Sequence, residues 1–311
     1  MRRILVIDGG GIKGVMPASL LAHLEESLPQ NVAAYFDLIC GTSTGGIIAL
    51  ALGLGLSARE TLSFYEQHGP AIFYGNPRQW CRGWFRAKYD PRPLRAALEG
   101  VFGDRKFGES TKRLVIPSFN IDSGEVHVWK TSHPPRFERD YKASVVDVAL
   151  STAAAPTYFP THRLACGTPL IDGGMWANNP IAVALIEAIG ILEWPRDGFR
   201  VLSLGCTTTP LNVDWGRSHS LGKLGWAQKI ADVFMAGQSS GATGMAQHLI
   251  ADRRNIIRIS PLVGPRYEVD SQDEIPSLKG LGASEARKAL STLRPLFFEQ
   301  PITDDFVPFH S

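Results

Sequence analysis

Three short patterns hold the residues most able to do chemistry. They are G-T-S-T-G at Gly41–Gly45, D-G-G-G-I-K-G at Asp8–Gly14 and D-G-G at Asp172–Gly174. In the first, Ser43 sits between the apolar run FDLIC and the apolar run IIALAL. A serine at a sharp turn from strand to helix projects its hydroxyl away from the sheet, and the helix start behind it favours developing negative charge. Gly41 and Gly45 leave room for a strained backbone and for close approach of a substrate. Ser43 is therefore expected to act as a nucleophile.

The second pattern follows the first apolar run and opens a helix. Glycine-rich backbone at a helix start aims several N–H groups at one spot, and such a spot binds an oxyanion or a phosphate. The same string fits G-x-G-x-x-G, so a dinucleotide site is a second reading. That reading wants an acidic residue about 20 positions on, after the second strand. Asp37 lies within the second predicted strand instead. Asp172, taken alone, reads as a turn or cap residue. Beside Gly173 and at a strand end, it could approach a neighbouring turn closely.

The elements around these patterns alternate. Strands are expected at 3–7, 36–40, 113–121, 125–131, 170–171, 199–205 and 255–260. Helices are expected at 15–28, 47–54, 58–68, 94–101, 145–155, 181–192, 223–250 and 283–298. The 113–131 stretch reads as a hairpin turned by Asp122-Ser123-Gly124, and Asn179-Pro180 as a helix start. Strands that are continuous apolar runs imply a mainly parallel central sheet flanked by helices on both faces, an α/β fold in three layers. No repeat or linker divides residues 1–311, so a single domain is expected.

Composition sets limits. The chain is 44% hydrophobic with a formal net charge of +2, which argues against a dedicated DNA or RNA binder. The apolar run after Arg3 is about five residues, short of the roughly 7–15 of a signal-peptide core. No run of about 18 apolar residues offers a membrane span. Cys40, Cys81, Cys166 and Cys206 form no C-x-x-C pair, and the eight histidines form no ligand-spaced cluster. A cytoplasmic protein needing no metal is the expectation. Arg78–Tyr89 interleaves Trp80, Trp84 and Phe85 with Arg82, Arg86 and Lys88. It reads either as a lid that docks on a membrane surface or as packing with a solvated basic face.

Taken together and in this order, DGGGIKG, GTSTG and DGG resemble the patatin-like phospholipase family, with STAAAPTYFP (Ser151–Pro160) and NNP supporting the match over about residues 3–205. The resemblance implies a phospholipase A-type acyl hydrolase with a Ser-Asp dyad and no His. Carried over by motif, Ser43 is the nucleophile, Asp172 the general base, and the amides of Gly9, Gly10 and Gly11 the oxyanion hole. Lys13, Gly41, Gly45 and Gly173 support them. The compact size and the hairpin are similar to bacterial antiphage (CBASS) effectors, which implies activation by a cyclic dinucleotide or trinucleotide. It also implies membrane phospholipid as substrate, an inner-membrane-peripheral location when active, and a homo-oligomer. Two other readings stay open. One is an α/β-hydrolase triad completed by His219 or His248. The other is a non-catalytic nucleotide binder that uses GGGIKG as its cradle.

Overall fold

The computed structural model describes residues 1–74, 87–210, 223–264, 267–304 and 306–311. Its strands are β1 (Arg2–Ile7), β2 (Leu38–Gly41), β3 (Arg113–Asn120), β4 (Glu125–Lys130), β5 (His162–Arg163), β6 (Pro169–Asp172), β7 (Phe199–Leu204) and β8 (Ile256–Ile259). They form one sheet in the order β5-β6-β3-β2-β1-β7-β8, with β4 also paired to β3. The run β3-β2-β1-β7-β8 is parallel, whereas β4, β5 and β6 pair antiparallel.

The helices are α1 (Val15–Glu25), α2 (Thr44–Gly53), α3 (Ala58–Ile72), α4 (Pro91–Phe102), α5 (Val145–Ala153), α6 (Gly174–Ala177), α7 (Ile181–Ile186), α8 (Lys223–Leu249) and α9 (Ile275–Leu293). Successive strand residues point to opposite faces, so each strand feeds two cores. Leu5 and Ile7 of β1 pack with α1, α2, α3, α5 and α9. Ile4 and Val6 pack with α7 and the end of α8. This is the three-layer α/β arrangement. The helix after β1 and the helix after β7 lie on opposite faces, which opens a crevice at the carboxyl ends of those two strands.

Some boundaries differ from the sequence expectation. Helix α2 starts at Thr44 rather than Ile47, because Ser43 itself makes the turn. Helix α9 starts at Ile275 rather than 283. Gly280 and Gly282 weaken its helical signal, and packing against α1 overrides that preference. The expected 181–192 helix is α7 continued by a π-helical turn over Glu187–Ile191. The short β5 strand was not expected at all.

One side chain ties three elements on the α1 face. The Glu25 carboxylate, at the end of α1, accepts the Val32 N–H at 2.7 Å and the Ala58 N–H at 3.0 Å. Val32 opens a 3-10 turn and Ala58 opens α3, so both are donors that no helix carbonyl can satisfy. Glu25→Ala is expected to lower unfolding free energy by about 1–3 kcal/mol in urea titration, with Glu25→Gln losing less because it keeps an acceptor.

Candidate active site

Strand β4 lines one edge of β3 from Val115 to Asn120. The other edge changes partner half-way. Strand β2 pairs with Arg113–Val115 in parallel, and β6 pairs with Ser118–Asn120 in the opposite direction. The two strands therefore run toward each other and stop on either side of Pro117. Proline has no N–H to leave unpaired at such a gap. The residues that leave the gap are Thr42-Ser43 from β2 and Asp172-Gly173 from β6. Gly173 must lack a side chain here, since a Cβ would come within 2.2 Å of the Pro117 carbonyl oxygen.

Ser43 adopts φ 55° and ψ −123°, a left-handed strain that a non-glycine residue holds only when its surroundings enforce it. Thr152 does the enforcing. Its hydroxyl accepts the Ser43 N–H at 3.0 Å and donates to the Pro117 carbonyl at 2.5 Å. Gly41 and Gly45 press together at this elbow, with room for no side chain on either.

The Ser43 side chain lies within reach of the Asp172 carboxylate and stabilises its charge, and that carboxylate accepts the Gly174 N–H at 2.6 Å. Asp172 is 5% exposed, and burial pushes its pKa from 3.8 up to about 6, against the opposing pull of Ser43 and the Gly174 N–H. Its own N–H donates to the Ala154 carbonyl at 3.1 Å, anchoring β6 to the end of α5.

The glycine loop crosses in front of this pair. A Cβ on Gly9 would lie 3.3 Å from that of Ser43. Of the three amides the sequence offers, that of Gly9 is already bonded, to the Asn178 carbonyl at 2.9 Å. The Ile12 N–H is taken by the Val269 carbonyl at 2.8 Å. The Gly10 and Gly11 amides donate to no group among the described residues. Lys13 lies half-exposed in the turn Gly11–Gly14.

Behind the loop lies a buried ion pair that the sequence reading missed. Arg258 of β8 reaches across β7, donating to Ser203 at 2.7 Å, and forks onto Asp8 at 3.2 and 2.5 Å. Burial raises the Asp8 pKa while Arg258 pulls it down. A lone arginine inside the apolar run NIIRIS was the available signal. Cys206 donates its thiol to the Asp8 carbonyl at 3.5 Å, and burial pushes its pKa up to about 12, so it stays protonated at neutral pH. Helix α8 closes the far side. Gln238 accepts the Asn178 N–H, and the Asn179 amide donates to Ser239 and Thr243.

Asp37 lies at the other end of the sheet, bonded to Arg2 and to the Arg3 N–H. It cannot serve a nucleotide on the glycine loop. No histidine among the described residues bonds Ser43 or Asp172; His248 is exposed on α8 and His219 lies outside the described residues. Most of the Trp- and Arg-rich segment, including Trp80, Arg82, Trp84, Phe85 and Arg86, also lies outside them. Lys88 is described, and its ammonium pairs with Asp270 while its backbone N–H binds the Thr157 carbonyl. No described helix is long and apolar enough to cross a membrane.

The family model for patatin-like phospholipase matches residues 5–185, which span the glycine loop, Ser43 and Asp172. The chain belongs to the patatin-like phospholipase family. It is a lipid hydrolase of that family. Among similar proteins, the cGAMP-activated phospholipase of Pseudomonas aeruginosa (strain BWHPSA011 / Pa011) is 34% identical over 304 residues, 94% of this chain and 90% of that protein. The cGAMP-activated phospholipase of Escherichia coli (strain TW11681) is 38% identical, over 60% of this chain and 55% of its own length. Patatin-like protein 3 of Arabidopsis thaliana is 34% identical, over 59% of this chain and 51% of its own length.

The raised Asp172 pKa has a stability consequence. The folded value of about 6 exceeds the ordinary 3.8, so the folded state binds this proton more tightly than the unfolded chain does. The carboxyl is tolerated below pH 4, and its ionisation costs stability as pH rises through 6. A shift of about 2 units corresponds to about 3 kcal/mol at most. Asp172→Asn is therefore expected to raise Tm at pH 8, with the gain shrinking toward nothing at pH 4, as read by thermal melts across that range.

Proposed function

We propose that this chain is a nucleotide-activated phospholipase A-type acyl hydrolase in which Ser43 is the nucleophile and Asp172 the general base. The observation that carries this reading is the strained Ser43 elbow set beside the buried Asp172 carboxylate, whose charge the Ser43 side chain stabilises. Asp172 takes the hydroxyl proton as Ser43 Oγ attacks the ester carbonyl carbon. The carbonyl oxygen becomes an oxyanion, which the Gly10 and Gly11 N–H groups receive. Loss of one such donor typically costs about 10²–10³ in rate. The protonated Asp172 then returns its proton to the departing lysophospholipid alcohol, leaving an acyl ester on Ser43. Water, deprotonated by Asp172, attacks that ester, and the fatty acid leaves as Ser43 regains its proton. A base that titrates near the working pH suits both halves of this cycle.

The backbone around the loop supports this reading over the nucleotide cradle. With the Gly9 and Ile12 amides engaged, two amides remain, enough for one oxyanion and few for a pyrophosphate. The relatives named cGAMP-activated phospholipase support a cyclic nucleotide as activator, cyclic GMP–AMP among the candidates. On this reading the enzyme is peripheral to the inner membrane when active. It degrades the cell's own phospholipid as an antiphage effector and assembles as a homo-oligomer. It needs no cofactor for the chemical steps.

Ser43→Ala and Asp172→Asn are each expected to reduce hydrolysis of phospholipid and of p-nitrophenyl ester by at least a thousandfold while circular dichroism stays unchanged. Residual activity above a few percent in either variant contradicts the dyad. The base must be ionised to work, so kcat/KM is expected to rise with pH, reach half its plateau near pH 6 and flatten above pH 7. A profile flat from pH 5 to 8 excludes Asp172 as the base.

A further inference from the structure

A cavity of about 320 Å³ opens beside β4, away from the catalytic crevice. Lys130, Arg136, Phe137, Glu138 and Arg139 are among its lining residues. The guanidinium of Arg136 lies over the Phe137 ring, 5.6 Å from its centre. Neither Arg136 nor Arg139 makes an ion pair or a side-chain hydrogen bond among the described residues, although both are exposed at the rim. Two guanidinium forks with no carboxylate partner, a half-buried lysine and a half-buried aromatic ring, now covered by the Arg136 and Lys130 cations that a base would displace, form a set that matches phosphate groups joined to flat bases. The exposed carboxylate of Glu138 adds an acceptor for base N–H donors. The volume falls within the range of about 300–1,000 Å³ common for small-molecule sites.

The cavity wall is bonded to both halves of the catalytic apparatus. Val128 and Lys130 of β4 face the cavity, so Trp129 between them faces the opposite side. The Trp129 indole donates to the Ser151 hydroxyl at 2.9 Å. Ser151 neighbours Thr152, whose hydroxyl receives the Ser43 N–H. By a second route, the Lys130 ammonium pairs with Glu187, which also receives His133 at 2.8 Å. Glu187 sits in the π-helical turn that ends α7, a kind of helix defect common at functional sites. The other end of α7 follows Asn178 and Asn179, and the Asn178 carbonyl holds the Gly9 amide.

We infer that this cavity binds a purine cyclic dinucleotide, whose phosphates meet Arg136 and Arg139 and whose base stacks on Phe137, and that occupancy repositions β4 and α7 around Ser43. The inference rests on the proposed function for the class of activator and for the output, and the site itself on the cavity's own residues. A phosphate drawn toward Arg136 and Arg139 competes with Glu187 for Lys130. Releasing Lys130 changes the hold on α7, and so on the loop that carries the oxyanion amides.

The test uses the full chain and cyclic GMP–AMP as probe. Arg136→Ala/Arg139→Ala alters only exposed side chains and is expected to keep the parent Tm and the parent turnover of p-nitrophenyl ester without nucleotide. Its Kd for cyclic GMP–AMP by calorimetry is expected to rise at least tenfold, and the concentration giving half-maximal phospholipid hydrolysis to rise with it. A rise of less than tenfold overturns the site, as does a parent protein that hydrolyses phospholipid but binds no cyclic GMP–AMP. Ser43→Ala, assayed alongside, is expected to bind the nucleotide like the parent. A parent that binds through these arginines yet hydrolyses no ester sinks the enzyme reading while leaving the site standing.

Discussion

The placement of Ser43 beside Asp172 depends on one constraint in the sheet: a single edge of β3 is shared by two strands that approach from opposite ends. Strand β2 and strand β6 cannot both extend past Pro117, so each must leave the sheet there. Their last residues then face each other at contact distance. The juxtaposition of Ser43 and Asp172 is a result of that collision of strand ends. Thr152 stabilises it from a third element, because its one hydroxyl serves both the elbow amide and the carbonyl that the gap exposes.

Burial raises the pKa of two carboxylates here, Asp8 and Asp172, and their partners set them apart. Asp8 is buried beside a guanidinium that forks onto both its oxygens, so its charge is compensated and it serves to brace the loop. Asp172 is buried with a hydroxyl and one amide for company, and neither carries a charge. Its ionisation is therefore costly, which leaves it basic enough to take a proton from a serine. A strained elbow and an uncompensated buried carboxylate are both unfavourable for folding, and active sites commonly hold such features against a well-packed scaffold. The fully buried helix α2 and the two apolar cores on either side of the sheet form that scaffold.

Strand β4 lines the basic cavity with Val128 and Lys130 and turns Trp129 between them toward Ser151, while Lys130 pairs with Glu187 in the turn that continues α7. Lys130 and Trp129 point to opposite faces of the same strand, so the cavity side and the Ser151 side of β4 are joined through adjacent residues.

The sequence by itself determined the elements and the reactive residue types. Alternating apolar strands and amphipathic helices specify three layers. A serine between glycines at a strand–turn–helix junction specifies an elbow, because those demands are local to a few residues. The glycine loop was legible for the same reason. What only the tertiary structure decided were the properties that depend on distant segments. Thr152, Asn178 and Arg258 look like ordinary helix, turn and strand residues until folding brings them against Ser43, Gly9 and Asp8. The engagement of the Gly9 amide could not be read from its motif, since its partner is 169 residues away. The role open to Asp172 was legible only by family pattern. Its basicity comes from burial by strands and helices far along the chain, and burial is a property of the packed molecule.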